Sequence, residues 1–213
     1  MNELDKLLKP DKKAFEADPF SYSALGRMRW GLIAEMSGFK MDLEKPATTE
    51  ELKNPILWLT QAEALTQAAT LIIKSEPEFQ NMPDYYSGIC DGQFRAAGLM
   101  LVGYSLEICL KAMLIMKKGI SVYNEEGKKY HHHRLQILAD FIPNITKKDK
   151  IILELLTHYV YWAGRYPDPG YGKEKDAEKI FTLAEKYKIT AKDLFQLAAK
   201  VMAHSKVVAD GIE

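Results

Sequence analysis

Leu99-Met100-Leu101-Val102-Gly103-Tyr104-Ser105-Leu106-Glu107-Ile108-Cys109-Leu110-Lys111 repeats apolar residues at intervals of three and four. That interval lines up side chains on one face of an α-helix, whereas a strand would alternate them. Read outward, the helix extends back to Asp84 or Asp91 and forward to Lys118, and Gly119 stops it. Ala97, Leu101, Tyr104, Ile108 and Ile115 form its expected inward face. Gly98 and Gly103 inside it cost about 1 kcal/mol each relative to alanine, so a close approach of neighbouring helices is expected there. The longest apolar run, Ala96 to Leu106, has 11 residues before Glu107 interrupts it. A bilayer span takes about 20, so no membrane association is expected.

The same period governs the flanks. Asn54-Pro55 is a cap followed by proline at the first helical position, and Trp58, Ala62, Leu65, Ala69 and Ile72 mark one stripe down to Ser75. Thr146-Lys147-Lys148-Asp149 and Thr190-Ala191-Lys192-Asp193 have capping-box spacing with Asp at the third position. The first opens a helix ending near Gly164, and the second opens a helix over 191–208, preceded by one over 174–188. A short helix is expected from His133 to Phe141, with 120–130 as a polar loop. In the N-terminal part, residues 1–20 read as a polar arm broken by Pro10 and Pro19. A helix from Ser21 or Ser23 to Ser37 follows, and then a loop over 38–53. No alternating strand pattern appears. These readings define an all-α, up-and-down helical bundle over 54–213 with a helical N-terminal extension over 1–53.

Of the 213 residues, 47% are apolar and 27% charged, and 29 Lys and Arg balance 29 Asp and Glu. This is ordinary globular composition and argues against a general polyanion binder. The charge is uneven, however. Residues 1–106 hold 11 basic and 15 acidic side chains, 107–213 hold 18 and 14, and 111–150 hold 9 and 4. Cys90 and Cys109 are too few for a zinc motif, and with no leader-like start a cytoplasmic location is expected. Phosphate-loop, dinucleotide, nucleophile-elbow and metalloprotease fingerprints are absent, so neither a cofactor nor a metal is expected.

Three groups of polar residues could carry chemistry. Within His131-His132-His133, consecutive side chains diverge too much to share a metal, so either His133 works at a helix start near a phosphate or a partner side chain, or the histidines only cap the helix and face solvent. Glu107 and Lys111, four apart in an apolar helix, form either an intrahelical pair or a buried one. His158 and Arg165 are seven apart. Arg165, at a helix end beside Tyr166, either holds phosphate or ties down the last carbonyls.

Gly103 to Ala112, with Glu107-x-x-x-Lys111, resembles the second helix of HEPN domains. His133-Arg134-Leu135-Gln136-Ile137-Leu138 is similar to the start of their next helix, and Leu155 to Pro167, with Arg165-Tyr166-Pro167, to the one after that. The resemblance spans 54–190 and leaves 1–53 outside. It implies a bundle of four or five helices, homodimerisation, and RNA, nucleotide, nucleotidyltransferase or antitoxin partners in a toxin–antitoxin or defence setting. Catalytic members place a His after the Arg with four to six residues between the two. After Arg165 the corresponding positions, counted as 170, 171 and 172, are Gly170, Tyr171 and Gly172. The resemblance therefore implies a non-catalytic binding domain in which Arg165, Tyr166, His133, His158, Lys111 and Glu107 are the candidate ligand residues and no catalytic residue is assigned. The alternatives are a degenerate metal-independent RNase whose base is a relocated His133 or His158, and a purely structural dimerisation module.

Overall fold

A computed structural model describes residues 8–39, 41–42 and 44–211. Among them all regular structure is helical. The first seven residues of the expected N-terminal arm lie outside this set. The chain divides into two compact units, Met1–Leu57 and Trp58–Glu213.

In the first unit, α1 (Lys12–Ala17), α2 (Pro19–Ala24), α3 (Gly26–Met36) and α4 (Thr49–Leu52) are short. The helix expected from 21 or 23 to 37 is two helices. It starts earlier because the Asp18 carboxylate accepts the Ser21 N–H (3.0 Å) and Pro19 takes the first position. Gly38, at φ +86°, ends α3. The expected loop over 38–53 contains α4, whose start is a capping box. Thr48 Oγ1 accepts the Glu51 N–H, and the Glu51 carboxylate accepts the Thr48 N–H, both at 3.2 Å. The same carboxylate holds Arg27 Nη2 at 2.7 Å.

α5 (Pro55–Lys74) runs into the second unit, where a 3-10 turn (Asp84–Tyr86) leads into α6 (Ser87–Lys118). Then come α7 (Ile120–Glu125), α8 (Gly127–Tyr130), α9 (Leu135–Leu138) and α10 (Lys147–His158). α10 continues as a π-helical segment, Tyr159–Ala163, before α11 (Glu174–Lys186) and α12 (Ala191–Ala209). α6 is central, in contact with α7, α9, α10, the π segment and α12. Being covered from several sides, it buries more than one stripe: Val102, Leu106, Cys109, Leu110 and Met113 are buried, while the expected inward residues Ala97, Leu101, Tyr104 and Ile108 are only half-buried. A single amphipathic face describes a helix at the surface, not one at the centre. By length and hydropathy two segments could cross a membrane, Thr49–Lys74 and Asp84–Lys118. The second of these is the core helix.

The expected 120–130 loop is helical. Tyr123 and Tyr130 are buried and stack at 5.3 Å, so burial of two rings outweighs the polar residues around them. α9 is shorter than expected because its start is set at Leu135. The Leu135 N–H, left orphaned at the helix start, is accepted by Thr157 Oγ1 of α10 at 3.0 Å, and that hydroxyl lies 2.8 Å from the Leu153 carbonyl. His133 and Arg134 are thus held on a non-helical stretch just ahead of α9. Both expected capping boxes form, Thr146 with Asp149 and Thr190 with Asp193.

Gly103 lets α6 and the π segment close on each other. A Cβ there would lie 2.5 Å from Val160 Cγ2 and 3.3 Å from the Leu156 carbonyl. Gly164 is similarly tight, 3.0 Å from the Ala96 carbonyl. Gly92, on the same helix, has open space around it. Gly103→Ala should therefore destabilise the protein by about 1–3 kcal/mol through overpacking. Gly92→Ala should stabilise it by about 0.4–1 kcal/mol through helix propensity and reduced unfolded-state entropy. Chemical denaturation of the two variants checks the opposite signs.

Candidate functional site

Glu107 is 5% exposed on the central helix. A carboxylate buried to this degree requires charged or hydrogen-bonding partners. Lys111 Nζ, one turn on, lies 2.8 Å from Oε1. His133 Nδ1 is 3.0 Å from Oε1 and 2.8 Å from Oε2. The buried alternative for the Glu107–Lys111 pair is the one realised, and His133 completes it from 26 residues away. With Glu107 ionised, His133 Nδ1 must carry the donated hydrogen, which leaves Nε2 as the other ring nitrogen, without a hydrogen-bond partner among the described residues. The imidazole stands edge-on between Tyr161 (ring centroids 5.2 Å apart) and Tyr104 (6.3 Å). An imidazole oriented by a buried carboxylate can accept a proton or a hydrogen bond at its other ring nitrogen.

The π winding turns Tyr161 and Trp162 toward a cavity of about 400 Å³ beside this trio. Arg134, His158, Tyr161, Trp162, Lys173 and Lys179 are among its walls. His158 is half-buried, and its pKa is held below the ordinary imidazole value mainly by burial, with nearby Lys179 adding to the effect and Asp176 opposing it. Lys179 is paired with Glu154 across the cavity wall. No acidic or hydrogen-bonding partner for the side chains of Arg134 or Lys173 is found among the described residues. The indole N–H of Trp162 is buried without an acceptor among the described residues.

On the other side of Arg134 lies a second cavity of about 530 Å³, walled by Lys128, Lys129, Tyr130, His132 and Phe141 among others. Its α8 edge is pinned by Glu126. This carboxylate accepts from Tyr130 Oη at 2.5 Å and pairs with Lys129 at 2.6 Å and Lys118 at 3.3 Å. These contacts, Lys129 foremost, hold its pKa at about 2. The His132 pKa is lowered by burial and then by the positive charges of Arg134 and Lys111.

Comparisons with family models, curated proteins and solved structures found no match to this chain. The assignment of residues therefore rests on the geometry. Of the six sequence candidates, Glu107, Lys111 and His133 come together, and Lys111 is committed to Glu107. His158 faces the first cavity. Arg165 and Tyr166 stay outside: Arg165 Nη2 donates to the Tyr161 carbonyl, and its guanidinium lies over the Tyr166 ring at 5.4 Å. This is the carbonyl-tying alternative. π winding takes more residues per turn than α winding, so the seven-residue spacing does not bring Arg165 onto the His158 face. The signal that could have pointed to Arg134 is its position beside His133 in the segment with 9 basic and 4 acidic residues. Lys173, Lys179, Tyr161 and Trp162 had no such signal, because the π segment and the following loop bring them together. Among the described residues no group of three or more His, Cys, Asp or Glu side chains could hold a metal ion.

Lys111→Met should destabilise the protein by about 3–5 kcal/mol by leaving the Glu107 charge buried with its Lys partner gone. Adding Glu107→Leu should recover most of that loss, since an apolar pair replaces the ionic one. Urea denaturation of the single and double variants measures the coupling.

Proposed function

We propose that this chain is a HEPN-like helical domain that binds RNA or nucleotide without cleaving it. The observation that supports this most is Arg134, an exposed guanidinium without an acidic partner among the described residues, set between two cavities whose walls mix cations with aromatic rings. Such a surface attracts phosphate by charge and bases by stacking. The reading also agrees with the missing imidazole after Arg165. Gly170 and Gly172 carry no titratable group, and tyrosine titrates too far above neutrality to serve as an efficient base. The Glu107–Lys111–His133 trio acts here as a brace that fixes the stretch carrying Arg134.

One observation favours a second reading, a metal-independent RNase with a relocated base. Glu107 orients His133 so that Nε2 is left for proton transfer, which is how a carboxylate–imidazole pair serves as general base. In that reading His133 would take the proton of a ribose 2′-hydroxyl.

The two readings part on one assay. Purified protein incubated with labelled single-stranded RNA in EDTA should retard the RNA in a gel-shift experiment and leave it intact. Cleavage that is lost in His133→Ala but kept in a binding-competent control would establish the RNase reading. Absence of both retardation and nucleotide-induced thermal stabilisation would favour a protein-interaction module.

A further inference from the structure

We propose that Arg134 anchors one backbone phosphodiester of a single-stranded nucleic acid, with the two flanking nucleotides occupying the cavities on either side of it. The inference rests on the nucleic-acid-binding reading and sharpens it, because it names the ligand as a strand with an internal phosphate.

Four observations carry it. Among the described residues, Arg134 is the one that lines both cavities. Their volumes, about 400 and 530 Å³, fall in the roughly 300–1,000 Å³ range of small-ligand pockets, so each has room for a nucleotide. Each cavity offers a ring that is not fully buried, Tyr161 and Trp162 in one and Phe141 in the other, and base–aromatic stacking tolerates any sequence. The combined walls carry five Lys and Arg against three Asp and Glu. Two of those three acids are already engaged, Glu154 with Lys179 and Asp140 with Lys150 at 2.8 Å. Lys179 and Lys129 are likewise paired, with Glu154 and Glu126, which leaves Arg134, Lys128 and Lys173 as wall cations without an ion pair among the described residues.

Arg134 also has the right chemistry for a diester. A guanidinium presents a rigid fork that matches two phosphate oxygens, whereas an ammonium is a point charge. Its backbone is fixed independently of any ligand. The preceding residue is tied to Glu107, and the following N–H is tied to Thr157. The guanidinium itself is unengaged, so binding breaks no existing ion pair among the described residues. Trp162 adds a buried indole N–H that a ligand oxygen could satisfy after a small side-chain movement.

The test compares three probes by isothermal titration at fixed salt: adenosine 5′-monophosphate, the dinucleoside monophosphate ApA, and a five-nucleotide single-stranded RNA. ApA has one internal phosphodiester and no terminal phosphate. It should bind at least tenfold more tightly than the mononucleotide. Arg134→Ala should weaken ApA and the pentamer at least tenfold, leave the melting temperature unchanged, and reduce the slope of log affinity against log salt by about one. Arg134→Lys should recover only part of the affinity. Mononucleotide binding as tight as ApA would overturn the two-cavity inference while leaving the nucleotide-binding reading intact. So would pentamer binding that is indifferent to Arg134→Ala. No binding of any probe would sink both.

Discussion

A carboxylate buried on the central helix constrains how the second half of the bundle assembles. Glu107 is almost fully enclosed on α6 and carries a charge that the interior cannot tolerate alone. Lys111 meets part of that requirement from the same helix. The rest comes from His133, which reaches Glu107 only if the chain after α8 returns across α6 before α9 begins. Thr157 then pins the start of α9 to α10. The two polar contacts, two residues apart, leave Arg134 between them with its side chain outward.

Close packing adds a second constraint. Gly103 and Gly164 allow α6 and the end of α10 to approach at distances that a Cβ would forbid. In that narrow space the helix widens into π winding over Tyr159–Ala163. The widening faces Tyr161 toward His133 and places Trp162 in the cavity wall. Sites of this kind often coincide with functional surfaces, because π turns re-aim side chains that an α-helix would stack. The brace and the cavity thus share a wall, Tyr161, and share a chain segment, His133-Arg134.

The helical character of the chain was legible because local signals agreed. Asn54-Pro55, Thr146 to Asp149, Thr190 to Asp193 and Gly119 mark ends by mechanisms that act within a few residues. Of the expected inward face of α6 only Ile115 is buried, because burial from several sides erases a single stripe. α7 and α8 were hidden because two tyrosine rings, not the local polar pattern, decide that stretch. At the site, the four-residue spacing of Glu107 and Lys111 was readable, and the HEPN-like segments drew attention to His133. The contact between them is not encoded in any period, since it depends on a chain return of 26 residues. Arg165 drew attention through its motif, yet a helix C-terminus offers a nearer use for a guanidinium, the Tyr161 carbonyl. Arg134 lacked a motif of its own and stands out only once its lack of an ionic partner among the described residues and its place between two cavities are seen together.

The central claim is that ligand phosphate is met at Arg134 and not at Arg165. NMR observation of arginine Nε–Hε resonances during titration with a short single-stranded RNA tests it directly. The account predicts a large, saturable shift and slowed exchange for Arg134, with Arg165 unmoved. A shift confined to Arg165, with Arg134 silent at saturation, would contradict it.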